Sequence, residues 1–156
     1  MNAAHLHLIL VHFPVVLAPM AALLLAFSLY RRQSSTATVA LVLFVVSTLL
    51  CVPAFLLGEG AEEMIEHLPG ASEDLIAEHA EVADIAFWLS IALGLGSIVM
   101  LTLRNRAAGF YEKGVAALLV LSVITSGALA YTAFEGGKIR HPEAYSDISS
   151  ATHDED

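Results

Sequence analysis

LILVHFPVVLAPMAALLLAFSLY, from Leu8 to Tyr30, runs without an Asp, Glu, Lys or Arg. As a helix rising 1.5 Å per residue, such a stretch crosses the roughly 30 Å hydrocarbon core of a bilayer. Three more stretches are equally free of those residues: Gln33–Gly58, Ile85–Leu103 and Gly114–Phe134. One apolar helix can hide inside a large soluble protein. Four in a chain of 156 residues leave too little polar sequence to cover them. The pattern therefore predicts an all-α integral membrane protein, an antiparallel four-helix transmembrane bundle with both termini on the outer side. The spans are expected near residues 8–30, 35–58, 82–103 and 114–134, with an outer connection over 59–81. Residues 1–141 form the membrane domain, and 142–156 read as an acidic, disordered tail.

Composition agrees. Hydrophobic residues make up 57% and charged residues 15%, against about 45–50% and about 25% in an average soluble domain. The mean hydropathy is +0.72. A net charge of −9 argues against nucleic acid as a partner. Cys51 is a single cysteine and can form neither an intrachain disulfide nor a cysteine metal site alone. Met1 to Leu6 carry no Lys or Arg, so the charged start of a cleavable signal peptide is missing and the first span is expected to be retained.

The charges set an orientation. Arg31 and Arg32 separate spans one and two; Arg104, Arg106 and Lys113 separate spans three and four, with Glu112 the one acid there. The positive-inside rule assigns these loops, five bases against one acid, to the cytoplasm. The other 15 acids then lie outside with only Lys138 and Arg140. In the outer connection Glu59–His67 can form a short amphipathic helix, which Pro69-Gly70 breaks. Ser72 with Glu73 and Asp74 reads as a helix start that runs on into span three.

All seven histidines, His5, His7, His12, His67, His79, His141 and His153, fall on the outer side. Histidine is the commonest metal and haem ligand. His5, His67 and His153 read as solvated. His12 lies about four residues inside span one, roughly 6 Å deep, where an ionisable residue is expected to face the bundle interior. His79 stands above Ala83, Ala86 and Ser90, a small-residue face that admits a flat macrocycle or a neighbouring helix. Counted in helical rise, His7 matches His79 in height better than His12 does. His7 and His12 differ by about 140° around the helix, and height alone leaves the choice open. A weak internal duplication, VHFPVVLAP to FLLGEG and EHAEVADIAF to AFEGG, pairs His12 with His79 across an axis along the membrane normal. That pair is the preferred ligand set, with Asp84 as the acceptor that orients a histidine ring. Ser122, Thr125, Ser126 and Gly127 are expected to join helices. Gly136-Gly137 either turns His141 back over the bundle mouth or ends the helix.

HLILVHFP (His7–Pro14), Gly58-Glu59, EHAEVAD (Glu78–Asp84) and FEGGKIRH (Phe134–His141) resemble a widespread family of small bacterial four-helix membrane proteins, long catalogued as a domain of unknown function. The resemblance spans nearly the whole chain, and VHFP is its specific motif. Leu8 replaces the family's usual proline after His7, and Glu59 stands near its usual aspartate. The resemblance implies functional positions at His7, His12, His79 and His141, a bacterial inner membrane with the histidine-rich face in the periplasm, and haem binding, which is suspected for members.

Three functions follow as expectations. The first is a b-type haem protein that transfers electrons near the outer face, its acidic rim attracting a basic soluble periplasmic redox protein. The second is a Zn, Cu or Fe sensor or storage protein, in which histidines combine with Glu59, Glu62, Glu63, Glu66 or Glu78. The third is a cofactor-free accessory subunit of a larger membrane complex. No serine or cysteine is visibly paired with a base, so an electron carrier or binding protein is expected over a classical enzyme. A histidine pH sensor is a minor further option.

Overall fold

The computed structural model describes residues 2–65, 72–104 and 108–141, apart from the side chains of Ala108 and Arg140. Five helices account for nearly all of them: α1 (Ala3–Arg31), α2 (Ser34–Leu56), α3 (Gly58–Ile65), α4 (Glu73–Leu103) and α5 (Ala108–Arg140). Four segments are long and apolar enough to cross a membrane, α3 continuing the second of them. The chain is thus a multi-pass, all-helical membrane bundle. The outward surface requires lipid as its solvent: Leu23 is 72% exposed, Leu49 64%, Leu95 60% and Val120 62%, one from each long helix.

The ends follow local chemistry. The Asn2 side chain accepts the His5 N–H at 2.9 Å and caps α1. Span one therefore begins as helix at Ala3, earlier than the apolar run itself. Arg32 ends α1 in the left-handed region, with φ 53°, and the Gln33 N–H closes on the Ser28 carbonyl at 2.9 Å. At the same end of the bundle the Arg104 guanidinium donates to Thr38 Oγ1 at 3.2 Å, tying the two hairpin bends together. Ser72 caps α4 through the Leu75 N–H at 3.4 Å, and α4 runs without a break into its apolar part. Leu57 is a one-residue joint between α2 and α3, so most of the described connection is helix. His67, Glu66, Pro69-Gly70, Arg106, His153 and the acidic tail lie outside the described residues.

The hairpins α1–α2 and α4–α5 are the most extensive pairings; α2 also meets α4, and α1 meets α5. The four long helices therefore form a ring in the order α1, α2, α4, α5. The ring has an internal repeat. Pro14, Ala18, Ala21, Ala22, Leu25 and Ser28 are the buried positions of α1; Ala86, Ser90, Leu93, Gly94, Ser97 and Met100 are buried on α4, each 72 residues later than its counterpart. On α2 and α5 the shift is 78: Ala37, Ala40, Ser47 and Cys51 correspond to the buried Val115, Leu118, Thr125 and Leu129, and Phe44 to the buried Ser122. Two hairpins thus bury the same positions, in parallel orientation, about an axis through the ring.

The filling differs along that axis. Leu25, Leu41, Phe44, Leu93, Met100, Val115 and Leu118 close the arginine half. Toward the histidine end the buried residues include the smaller Pro14, Ala18, Cys51, Ala54, Ala86 and Ser90. Polar cross-links are few. Thr48 Oγ1 donates to the Ser90 carbonyl at 2.8 Å across α2 and α4. Thr132 Oγ1 shares its proton between the Ala128 carbonyl of α5 at 2.9 Å and the Val82 carbonyl of α4 at 3.2 Å. The expectation for Ser122, Thr125 and Ser126 needs correction: their hydroxyls donate to Leu119, Leu121 and Ser122 carbonyls of α5 itself. A buried hydroxyl one turn from a helical carbonyl is satisfied at home and has no proton left for a neighbouring helix.

A paired histidine site at one end of the bundle

His7 lies one heptad before Pro14 on α1, and His79 one heptad before Ala86 on α4. Both rings are half-buried and extend the buried stripe of their helices toward the same end. Each is fixed by the other helix of its hairpin. His7 Nδ1–H donates to the Ala54 carbonyl of α2 at 2.8 Å. His79 Nδ1–H donates to the Thr132 carbonyl of α5 at 3.1 Å. Ala54 and Thr132 are themselves 78 residues apart, so both donor and acceptor obey the repeat. A carbonyl can only accept, so Nδ1 carries the proton in each ring. Nε2 is then the lone-pair nitrogen, the form in which imidazole binds a metal. The two rings lie within electrostatic reach of each other.

The glycines complete the symmetry. Gly58 and Gly136, again 78 apart, each face a ring. A Cβ at Gly136 would stand 3.1 Å from His79 Cε1, and one at Gly58 would stand 3.9 Å from His7 Cε1. Gly136-Gly137 is therefore neither a turn nor a terminator. α5 continues through both to Arg140, and the close approach of the imidazole is what Gly136 permits. His141 follows the end of α5, exposed, its N–H on the Gly137 carbonyl at 2.9 Å; it is not folded back by those glycines.

His12 does not join this pair. It is exposed, and its Nδ1 rests 2.5 Å from the Leu8 carbonyl of its own helix. The physical reason is its rotation of about 140° from His7, which takes it off the buried stripe. The register that equated His12 with His79 is corrected accordingly: the counterpart of His79 is His7, and that of His12 is Asp84, which is exposed as well. The two Nδ1–H groups are oriented by backbone carbonyls. Glu59, at the start of α3, and His5 are exposed. Among the described residues no three of His, Cys, Asp or Glu gather into a metal-binding group.

One residue near the site escaped sequence reasoning. Glu135 is 1% exposed, its carboxylate held by Lys138, whose Nζ donates to Oε1 at 2.8 Å and stands 2.7 Å from Oε2. It also lies within electrostatic reach of His79. An Asp or Glu beside a glycine pair at a helix end reads as surface, and only its place opposite α4 shows it to be buried.

Fold and site together define a small polytopic membrane protein made of two equivalent helical hairpins with one histidine from each. A family model described as a predicted membrane protein, DUF2231, matches residues 3–142, and the chain belongs to that family. No curated protein and no solved structure matches it.

Proposed function

We propose that His7 and His79 would hold a b-type haem, and that the protein carries electrons at the histidine-rich end of the bundle. The observation that carries this reading is the matched pair of Nδ1–H donations to Ala54 and Thr132. Ligating histidines ordinarily give their second ring nitrogen to such an acceptor, which fixes both tautomer and orientation. Bound haem would supply a one-electron couple, and two histidine ligands leave no open coordination position for oxygen chemistry. Below the rings lie small buried residues, Ala54 and Ser90 among them, and a cluster of Ala18, Ala86 and Leu129 closes the core beneath the site. Two protein ligands suit a macrocycle that provides four of its own. A bare Zn, Cu or Fe ion ordinarily asks the protein for three or four.

In this reading the positive-inside rule turns this end away from the cytoplasm, and the family resemblance makes the space it faces the periplasm of a bacterial inner membrane. Exposed acids there, Glu59, Glu63, Glu73, Asp74, Glu78, Glu81 and Asp84, would steer a basic redox partner. The test is the absorbance spectrum of the protein purified in detergent after supplementation with hemin, oxidised and reduced. A Soret band with sharp reduced α and β bands, lost in both His7→Ala and His79→Ala, is the expected result. No uptake of hemin by the wild-type protein overturns the proposal, and elemental analysis then tests the metal-ion reading.

A further inference from the structure

Among the described residues Glu135 is the one buried side chain that carries a charge. The repeat relates Glu135 to Leu57, an apolar, half-buried residue at the joint between α2 and α3, whereas α5 runs on as helix through Glu135. The first hairpin therefore carries no carboxylate at this position. Yet Glu135 is buried at 1% exposure, where an ionised group loses its hydration and needs compensation. Lys138 provides part of it, but its side chain is 25% exposed while the carboxylate is fully covered. Water screens the ammonium more than the carboxylate, so the field of the pair inside the bundle is dominated by the negative end. Glu135 directly precedes Gly136, whose backbone the His79 ring approaches so closely that a Cβ there would stand 3.1 Å from Cε1. Glu78 and Tyr131 also stand around the ion pair.

We propose that Glu135 is a charge-setting residue of the two-histidine site: a buried carboxylate that favours a cationic centre between His7 and His79 and holds its oxidised form. This rests on the haem reading above. Two neutral imidazoles leave the positive charge of an oxidised haem iron uncompensated, and an anion fixed nearby stabilises that state over the reduced one. The second hairpin thus gives the site its polarity, and the first gives only a ligand. Glu135 touches neither electron donor nor acceptor and acts through the field at His79.

The experiment is a spectroelectrochemical titration of the hemin-loaded, full-length protein in detergent, comparing wild type with Glu135→Gln and Glu135→Leu. The first keeps the shape, and the second installs the residue that the other hairpin already carries. Both variants are expected to take up hemin and to show a midpoint potential raised by about 59 mV, a tenfold shift in a one-electron equilibrium. A purely structural role would change haem occupancy and leave the midpoint alone. Hemin uptake with a midpoint unchanged in both variants overturns this inference and leaves the haem site standing. A wild-type protein that takes up no hemin overturns both.

Discussion

His7 and His79 occupy the same position in two hairpins that share one pattern of burial. Each stands seven positions before a buried residue of its helix, Pro14 or Ala86, and each donates Nδ1–H to a carbonyl of the partner helix. Equivalent position gives equivalent height, which two groups must share to face a single bound centre.

His12 tests this assignment directly. Its ring is exposed and bonded within α1, so His12→Ala is expected to keep the cofactor spectrum of the wild type, unlike His7→Ala. A His12→Ala protein without its reduced α band would return the ligand to the VHFP motif.

The two site glycines are expected to differ on replacement by alanine. At Gly58 the new Cβ would find His7 Cε1 at 3.9 Å, an ordinary contact, and alanine gains up to about 1 kcal/mol of helix propensity. At Gly136 it would find His79 Cε1 at 3.1 Å, and overpacking of about 1–3 kcal/mol outweighs that gain. Thermal unfolding in detergent should therefore show Gly58→Ala at or above wild type and Gly136→Ala below it. Equal behaviour would contradict the close seat of His79.

Gly94 and Thr48 form the tightest crossing of α2 and α4. A Cβ on Gly94 would come 2.8 Å from Thr48 Cβ and displace the hydroxyl that bonds the Ser90 carbonyl. Gly94→Ala is expected to destabilise the bundle by about 1–3 kcal/mol. Thr48→Val, which loses only the interhelical hydrogen bond, should cost about 0.6 kcal/mol. Unfolding in a graded detergent series ranks the two, and the reverse order would mean that the hydroxyl outweighs the packing.

Orientation can be read by thiol labelling. Cys51 is buried, so Cys51→Ser gives a cysteine-free background. Cysteines placed at Glu59 and at Arg32 should react with a membrane-impermeant reagent from opposite sides of intact cells, Glu59 from the outside. Labelling of both from one side would overturn the topology.

The membrane fold was legible because it rests on composition over long windows, which needs no knowledge of neighbours. The Ser72 cap was legible for a similar reason, being a local pattern. The site was legible only in part. The histidines could be assigned to one end, but VHFP drew attention to His12, whose exposure depends on which stripe of α1 the other helices cover. Helical rise favoured His7, and the phase of the buried residues, unavailable to a one-dimensional count, turns that ring inward. Gly58 and Gly136 were visible as end signals, yet their part in seating imidazoles depends on contacts across the hairpin. Glu135 was missed because a carboxylate near a helix end reads as surface, and its burial depends on the helices packed around it.

The repeat carries a consequence for ancestry. A helical hairpin enters and leaves the bilayer on one side, so a second copy joined to its end inserts in the same sense without an added span. Tandem duplication of a single hairpin gene would yield this topology in one step. Before that fusion, two separate copies would have met as a symmetric homodimer with one histidine each, and an asymmetric residue such as Glu135 could be acquired only afterwards.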